Sequence, residues 1–143
     1  MARVAALAVH DIPGTCGSSS LCSEGSTGRS SSRRGCGGCG FCVDLNAAAA
    51  LERGAARERL QALDAFESSP LFSERECAAL GYAEAMTDSA RRVDEAAFER
   101  LREHFDEQAI LELTARVAFQ NLSSKFNAAL SVPSQGFCQM RGA

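Results

Sequence analysis

Residues 38–53 of the chain read GCGFCVDLNAAAALER, and this stretch does most to decide the fold class. Its four consecutive alanines, Ala47–Ala50, are strong helix formers that also permit close packing. Gly54 follows and is a residue that readily ends a helix. We therefore predict a helix from about Cys39 to Arg53, with cysteines on its first turn.

The chain beyond this helix also follows helical periodicity. A second helix is predicted over about Ala56–Glu67, where apolar residues recur at helical spacing. Three more helices are predicted to begin at the capping residues Ser73, Asp94 and Asp106. The helix that begins at Ser73 is expected to reach about Thr87, and the helix that begins at Asp106 is expected to reach about Leu130. No segment sustains a period of two, so the predicted fold class is all-α.

The N-terminal part of the chain has a different composition. Residues 12–38 are rich in Gly and Ser and lack apolar periodicity, so they cannot bury enough surface to offset the entropy of ordering. We therefore predict a Gly/Ser-rich segment over residues 1–37 and a helical domain over residues 38–143. Residues 12–36 are expected to be mobile unless they pack on a partner subunit.

Overall charge and hydropathy exclude several classes of partner. The 143 residues suggest one domain, and their formal net charge of −3 does not favour nucleic acid or an anionic membrane. The sequence has no run of about 18 apolar residues, so no membrane span is expected. The opening residues make an unconvincing signal peptide, because their apolar stretch is short. We expect a cytoplasmic protein with neither nucleic acid nor membrane as partner.

Seven cysteines stand at positions 16, 22, 36, 39, 42, 77 and 138. In a reducing cytosol, clustered cysteines are redox or metal residues more often than structural bridges. A C-x-x-C on the first turn of a helix brings two sulfurs together, and the amides at the helix N-terminus stabilise a thiolate. Cys39 and Cys42 fit this thiol–disulfide pattern. Cys36 and Cys39 share the spacing but precede the predicted helix.

Three other interpretations of the cysteine cluster stay open. The C-x2-C-x2-C run ending at Cys42 matches three ligands of an iron–sulfur cluster, but the fourth position holds Asn46. A zinc site would need four ligands, for example Cys36 and Cys39 with Cys16 and Cys22, whose spacing is unusual for zinc. The cysteines could also be small residues in a Gly-rich turn without chemistry. We expect no metal and no other cofactor.

A few further residues have simpler interpretations. Cys77 lies on an apolar helix face and is expected in the core, whereas Cys138 is expected to be exposed in the tail. His104 is isolated and is expected at the surface. Asn121 and Asn127, one and a half turns apart on the last helix, are expected to satisfy buried backbone or oligomer contacts.

Several blocks in order resemble one known family. The blocks are GCGFCVDLN at 38–46, SPLFSERE at 69–76, AALGYAEAMT at 78–87, and the last predicted helix, which ends with Asn121-x5-Asn127-Ala-Ala-Leu. Together they resemble the carboxymuconolactone decarboxylase and alkylhydroperoxidase D (AhpD)-like family over about residues 38–133.

The resemblance implies a compact, single-repeat helical bundle of the AhpD-like type, assembled into homo-oligomers. In active members the second cysteine of the motif attacks a hydroperoxide and becomes a sulfenic acid. The first cysteine then closes a disulfide, which a dithiol or protein reductant reopens. Carried over, Cys42 would react with the hydroperoxide substrate and Cys39 would resolve the sulfenic acid.

The sequence departs from the family pattern at the proton relay. The family's His, after three intervening residues, is Asn46 here, and an amide cannot shuttle a proton near pH 7. The family's acid, twelve residues before the first cysteine, corresponds to Thr27, with Glu24 as the nearest carboxylate. Glu84, on an otherwise apolar helix, is a candidate substitute acid, or else a charge at a helix end or an interface.

Two functions follow from these observations. The leading hypothesis is an enzyme, an antioxidant thiol oxidoreductase that reduces hydroperoxides or exchanges disulfides, impaired by the loss of the motif His. The alternative is a catalytically inactive helical oligomer that serves as an interaction scaffold. Lactone decarboxylases of the family lack a redox pair, so Cys39 and Cys42 argue against that activity.

Overall fold

The computed structural model describes residues 39–90 and 92–140. These residues form helices and contain no strand, which confirms the predicted all-α class. The elements are α1 (Gly40–Glu52), α2 (Arg57–Ala62), a 3₁₀ helix (Leu63–Ser68), α3 (Glu74–Thr87), α4 (Glu95–Arg102), α5 (Glu107–Ala129) and α6 (Phe137–Met140). The predicted N-terminal segment, residues 1–37, lies outside the described residues, so the domain division stays a prediction.

Helix α1 begins and ends close to where its sequence predicts. Cys39 is the N-cap, and the backbone of Arg53 forms the C-cap. Gly54 follows with a φ of 89°, a left-handed conformation that glycine adopts without steric cost, and its N–H donates to the Leu51 carbonyl. The first turn of α1 is therefore fixed at Cys39, which determines where the C-x-x-C pair lies.

The three later helices start at the predicted caps. Ser73 and Glu76 form a complete capping box at the start of α3. Asp94 accepts a 2.8 Å hydrogen bond from the Ala97 N–H at the start of α4. Asp106 caps α5 through the Ala109 N–H at the same distance. These side chains satisfy end amides that would otherwise lack a partner within their helices.

The second predicted helix is not continuous. The segment predicted as one helix over Ala56–Glu67 is α2 followed by the 3₁₀ helix, with Ala65 in a non-helical conformation (φ −133°, ψ 32°). The tighter winding leaves Asp64 exposed and buries Phe66 in the core. Tertiary burial of one aromatic ring thus overrides the local helical preference.

The main apolar core lies where α3, α4 and α5 pack together. Its buried members include Leu80 and Ala83 of α3, Leu101 of α4, and Leu113 and Val117 of α5. Cys77 is half-buried against this cluster and its thiol donates to the Phe66 carbonyl, so it lies at the edge of the core in which it was expected. This core sets the position of the N-terminal half of α5.

Helix α1 packs against α5 and α6 rather than within the main core. Its two motif cysteines form a second, smaller apolar cluster with Phe41 and Val43. Along the part of the chain that the structure describes, no helix is long and apolar enough to cross a membrane. The cysteine cluster therefore depends on α5 and α6 for its environment.

Candidate thiol site

The cap of α1 brings the two motif cysteines together. The Cys42 N–H donates to Cys39 Sγ at 3.1 Å, so the first cysteine caps the helix that carries the second. The Cys39 thiol in turn donates to Cys42 Sγ, and the two sulfurs are 2.6 Å apart without a covalent bond. A disulfide bond is about 2.05 Å long, so a small movement would close one.

The C-terminal half of α5 covers Cys42. Asn127 Nδ2 donates to Cys42 Sγ at 3.4 Å, and the neighbouring Ser124 is fully buried. Asn127 Nδ2 also lies 3.4 Å from Ser123 Oγ, so the amide and the hydroxyl form one polar group beside the sulfur. The two cysteines are almost fully buried, with 3% of Cys39 and 2% of Cys42 exposed.

These surroundings shift the pKa values of the two thiols in opposite directions. Burial tends to raise the pKa of Cys42, but hydrogen bonds from Cys39, Asn127, Ser124 and Ser123 outweigh it and lower this pKa below its ordinary value. Burial raises the pKa of the Cys39 thiol, and its hydrogen bond to Cys42 raises it further. Cys42 is therefore the more readily ionised thiol of the pair.

Asn46 lies one turn after Cys42 and does not contact its sulfur. Its Nδ2 donates to the Cys42 carbonyl at 2.7 Å and to Gln120 Oε1 of α5 at 3.3 Å. Asn46, at the motif position that holds a His in the family, thus links α1 to α5 through a side-chain hydrogen bond.

The candidate acids stand apart from the thiols. Glu84 is half-buried on α3, and no hydrogen bond among the described residues connects its carboxylate with Cys39, Cys42 or Asn46. Glu24 and Thr27, at the position of the family's acid, lie outside the described residues. The described part of the site contains the thiol pair and Asn46, without a hydrogen-bonded carboxylate.

A buried carboxylate on α1 holds the C-terminal segment beside the thiols. Asp44 accepts hydrogen bonds from the backbone N–H groups of Gln135, Phe137 and Cys138, at 2.8–3.0 Å, and from the Ser134 hydroxyl at 2.9 Å. The Cys138 N–H contributes most to lowering the Asp44 pKa, against the effect of burial. The Phe137 and Phe41 rings meet edge to face at 6.4 Å, so this segment packs directly next to the motif.

Sequence reasoning missed the α5 side of the site. Asn121 behaves as expected, because it accepts from the Thr87 hydroxyl and donates to the Met86 carbonyl at the end of α3. For Asn127 the expected backbone contact is wrong, since this amide donates to the Cys42 sulfur and to the Ser123 hydroxyl; an oligomer contact stays a prediction. Ser123 and Ser124 stand four and three residues before Asn127, so helical spacing puts all three on one face of α5. The sequence alone does not show that this face meets α1.

The remaining candidate residues lie elsewhere. Cys77 and His104 line an open cleft of about 400 Å³ between α3 and α4, and the pKa of Cys77 is raised by burial and by nearby glutamates. Cys138 is half-buried rather than freely exposed, because its backbone is bound to Asp44. Within residues 39–90 and 92–140, no three His, Cys, Asp or Glu side chains are grouped as metal ligands.

Comparison with known proteins gives relatives without an assigned function. No protein-family model matches the sequence. The uncharacterized Escherichia coli protein YnjA is 45% identical over 102 residues, which are 71% of this chain and 56% of YnjA. The uncharacterized Bacillus subtilis protein YdfG is 34% identical over 77 residues, 53% of this chain and 52% of YdfG. The chain thus spans about half the length of these relatives.

Solved structures identify the fold. A protein of unknown function from Agrobacterium tumefaciens, provisionally described as the antioxidant defence protein AhpD, superimposes with a TM-score of 0.67 at 22% identity, over 93% of this chain and 75% of its own. The debrominase Bmp8 gives a TM-score of 0.68 at 20% identity, over 97% and 62%. A cysteine-to-alanine variant of Bmp8 in complex with 2,3,4-tribromopyrrole gives 0.67. The described helices therefore have the AhpD-like fold.

Proposed function

We propose that this chain is an antioxidant thiol oxidoreductase of the AhpD-like family, which uses Cys39 and Cys42 as a reversible redox pair. One observation carries the proposal: two buried thiols lie 2.6 Å apart at a helix start, with the Cys42 pKa lowered and the Cys39 pKa raised. An asymmetric pair of this kind provides a nucleophile and a resolving thiol at the same place.

The chemistry follows from this division of roles. The Cys42 thiolate attacks the terminal oxygen of a hydroperoxide, the O–O bond breaks, and an alcohol leaves after protonation. Cys39 then attacks the resulting sulfenic acid, and water leaves as the disulfide forms. A dithiol or protein reductant then reduces the disulfide to two thiols and is itself oxidised.

Asn46 limits the peroxidase reaction. The leaving alkoxide needs a proton, and the Asn46 amide is engaged with the Cys42 carbonyl and Gln120 instead of acting as an acid. General acid–base help contributes about a hundredfold to ten-thousandfold, so we expect slow turnover of hydroperoxides. Disulfide exchange is less affected, because a thiolate leaves more easily than an alkoxide.

The test is residue-resolved mass spectrometry of the full chain after exposure to tert-butyl hydroperoxide. We expect a Cys39–Cys42 disulfide that dithiothreitol reverses. Cys42→Ser should abolish peroxide consumption, and Cys39→Ser should leave a sulfenic acid on Cys42 that dimedone traps. Cys77→Ser serves as the matched control and should react like the wild-type chain, since Cys77 packs against the main core. Absence of the disulfide after treatment with this hydroperoxide and with a small disulfide would refute the redox function.

A second candidate function is a catalytically inactive oligomeric scaffold. The near-complete burial of both thiols favours it, because a substrate must reach a sulfur that is only 2% exposed. Under this alternative the thiols stay reduced under oxidant, and the chain acts through self-association alone. The same mass-spectrometric experiment separates the two functions, since only the first consumes two thiols per chain.

A further inference from the structure

We infer that Asn127, together with Ser123 and Ser124, forms a hydrogen-bonding cradle that holds the Cys42 thiolate and replaces the missing motif His with neutral donors. This inference rests on the proposed function, since it assigns how the redox pair is activated. It also selects a substrate class: disulfides in preference to hydroperoxides.

The geometry places all three side chains on one turn of α5 against Cys42. Asn127 Nδ2 is 3.4 Å from both Cys42 Sγ and Ser123 Oγ. Ser124 is fully buried, and its hydroxyl accepts from Gln120 Nε2 at 3.4 Å, which leaves its own proton free to point at the sulfur. Hydrogen bonds from these residues lower the Cys42 pKa against the effect of burial.

The charged groups of residues 39–90 and 92–140 do not provide an alternative explanation for a stabilised Cys42 thiolate. On α1, Asp44 is bound to the C-terminal segment, and its negative charge would disfavour a thiolate. The side of α5 that faces Cys42 presents the amide and hydroxyl groups, whereas Lys125 is exposed. α6 contributes one titratable side chain, Cys138, and among the described residues Cys39 is the thiol bonded to the sulfur. Within the described part of the chain, stabilisation of the thiolate therefore comes from neutral donors and the neighbouring thiol.

Neutral donors stabilise a thiolate but cannot deliver a proton to a leaving group. A hydroperoxide releases a strongly basic alkoxide, which needs that proton. A disulfide releases a thiolate whose conjugate acid has a pKa of about 8.5, so it leaves without such help. The cradle thus suits attack on sulfur better than attack on oxygen.

The exchange reaction balances with the groups present. Cys42 attacks one sulfur of a small disulfide, the substrate S–S bond breaks, and the first thiolate leaves and takes a proton from water. Cys39 then attacks the Cys42 sulfur of the mixed disulfide, and its proton goes to the second departing thiolate. The substrate is reduced to two thiols while the chain gains the Cys39–Cys42 disulfide.

The first experiment measures the rate at which iodoacetamide alkylates Cys42 between pH 5 and 9, resolved by mass spectrometry in the reduced full chain. The wild-type rate should rise through a single titration. Asn127→Ala should slow Cys42 alkylation about tenfold near pH 6, because losing one hydrogen bond to a charged group shifts its pKa by about one unit or more. Ser124→Ala should act in the same direction.

Asn121→Ala is the matched control, because it removes the same amide from the same helix at a position that contacts α3 instead of Cys42. Its alkylation profile should match the wild type. If Asn127→Ala does not fold, Asn127→Asp keeps the shape, removes the donor and adds a charge that should slow alkylation further. Profiles for the Asn127 and Ser124 variants that coincide with the Asn121→Ala profile would overturn the cradle.

The second experiment tests the substrate class by following Cys39–Cys42 disulfide formation with bis(2-hydroxyethyl) disulfide and with tert-butyl hydroperoxide. The disulfide should react faster in the wild type, and Asn127→Ala should slow that reaction about tenfold. A faster reaction with the hydroperoxide would refute the substrate assignment. If neither oxidant forms the Cys39–Cys42 disulfide, the proposed function is refuted, and the alkylation profile still tests the cradle.

Discussion

At the scale of single residues, Cys39 and Cys42 differ in the hydrogen bonds that each sulfur accepts. Cys42 Sγ accepts from the Cys39 thiol and from Asn127 Nδ2. Cys39 Sγ accepts from the backbone N–H groups of Cys42 and Phe41 and gives its own proton to its neighbour. The pKa values of two identical side chains on one helical turn are thereby shifted in opposite directions, which is the property that separates a nucleophile from a resolving thiol.

Asn46 provides a direct test of the missing proton relay. Asn46→His alone should change hydroperoxide consumption little, because no hydrogen bond among the described residues joins a carboxylate to this position to orient the new imidazole. Gln120 Oε1 is 3.3 Å from Asn46 Nδ2, so Gln120→Glu would place a carboxylate at the right distance. The double variant should raise peroxide consumption by up to roughly a hundredfold.

The measurement is the initial rate of tert-butyl hydroperoxide loss with dithiothreitol as reductant. Gln120→Glu alone is the matched control and should not exceed the wild-type rate, because it adds the orienting carboxylate without the imidazole that it would orient. If the double variant gains nothing over Asn46→His, the absence of a relay does not limit the reaction at this site.

At the scale of helices, Asp44 fixes the C-terminal segment against α1. Asp44→Asn keeps the shape of the side chain but loses the charge that three backbone N–H groups and one hydroxyl bind. We expect amide hydrogen exchange at residues 134–138 to accelerate to nearly the rate of an exposed chain. Exchange within α3 should stay slow, because the main core does not include this contact.

The same contact should respond to acid in a defined direction. Hydrogen bonds lower the folded-state pKa of Asp44 below its ordinary value of 3.8. The carboxylate therefore stabilises the docked segment fully above that value, and the contribution is lost as the pH falls through the folded-state pKa. Hydrogen exchange at residues 134–138 should stay slow from pH 7 to about 4. Early release near pH 6 would contradict the assignment.

The predictability of the elements follows the range of the interactions that form them. The caps at Ser73, Asp94 and Asp106 act within three residues, so the sequence alone located the starts of α3, α4 and α5. The break at Ala65 depends on burial of Phe66 in the tertiary core, and it was not predicted. Helix type and order were thus accessible, whereas one boundary decided by packing was not.

The same distinction holds for the site. The Cys39–Cys42 pair was predicted from a spacing of three residues within one helical turn. The contacts of Asn127 with Cys42 and of Asp44 with Cys138 join residues 85 and 94 positions apart. A single sequence does not show which helix faces meet across such separations, so the motif was found and its environment was not.

At the scale of the whole molecule, α5 connects the main core with the thiol site. Its N-terminal half contributes Ile110, Leu113 and Val117 to the main core. Its C-terminal half carries Ser124 and Asn127 to Cys42. The same helix therefore positions core residues at one end and thiol-site residues at the other.

The outer face of α5 is an apolar stripe that the described chain leaves uncovered. Its large side chains are between 62% and 71% exposed: Leu111, Phe119, Leu122, Phe126 and Leu130. Exposed alanines at 115, 118 and 129 lie between them and would allow another surface to approach closely. A continuous apolar patch of this kind on a small domain commonly marks an interaction site.

We propose that a second copy of the chain covers this stripe, in line with the homo-oligomer implied by the family resemblance. Isologous packing of two α5 helices would bury the stripe on both copies at once, which is how symmetric oligomers use a single patch.

Sedimentation at micromolar concentration should give a multiple of the 15.1 kDa chain. Phe119→Glu should dissociate the assembly, because it would bury a charge without a partner. Leu71→Glu, at an exposed leucine outside α5, is the matched control and should leave the assembly intact. A wild-type monomer would show that self-association does not cover the stripe.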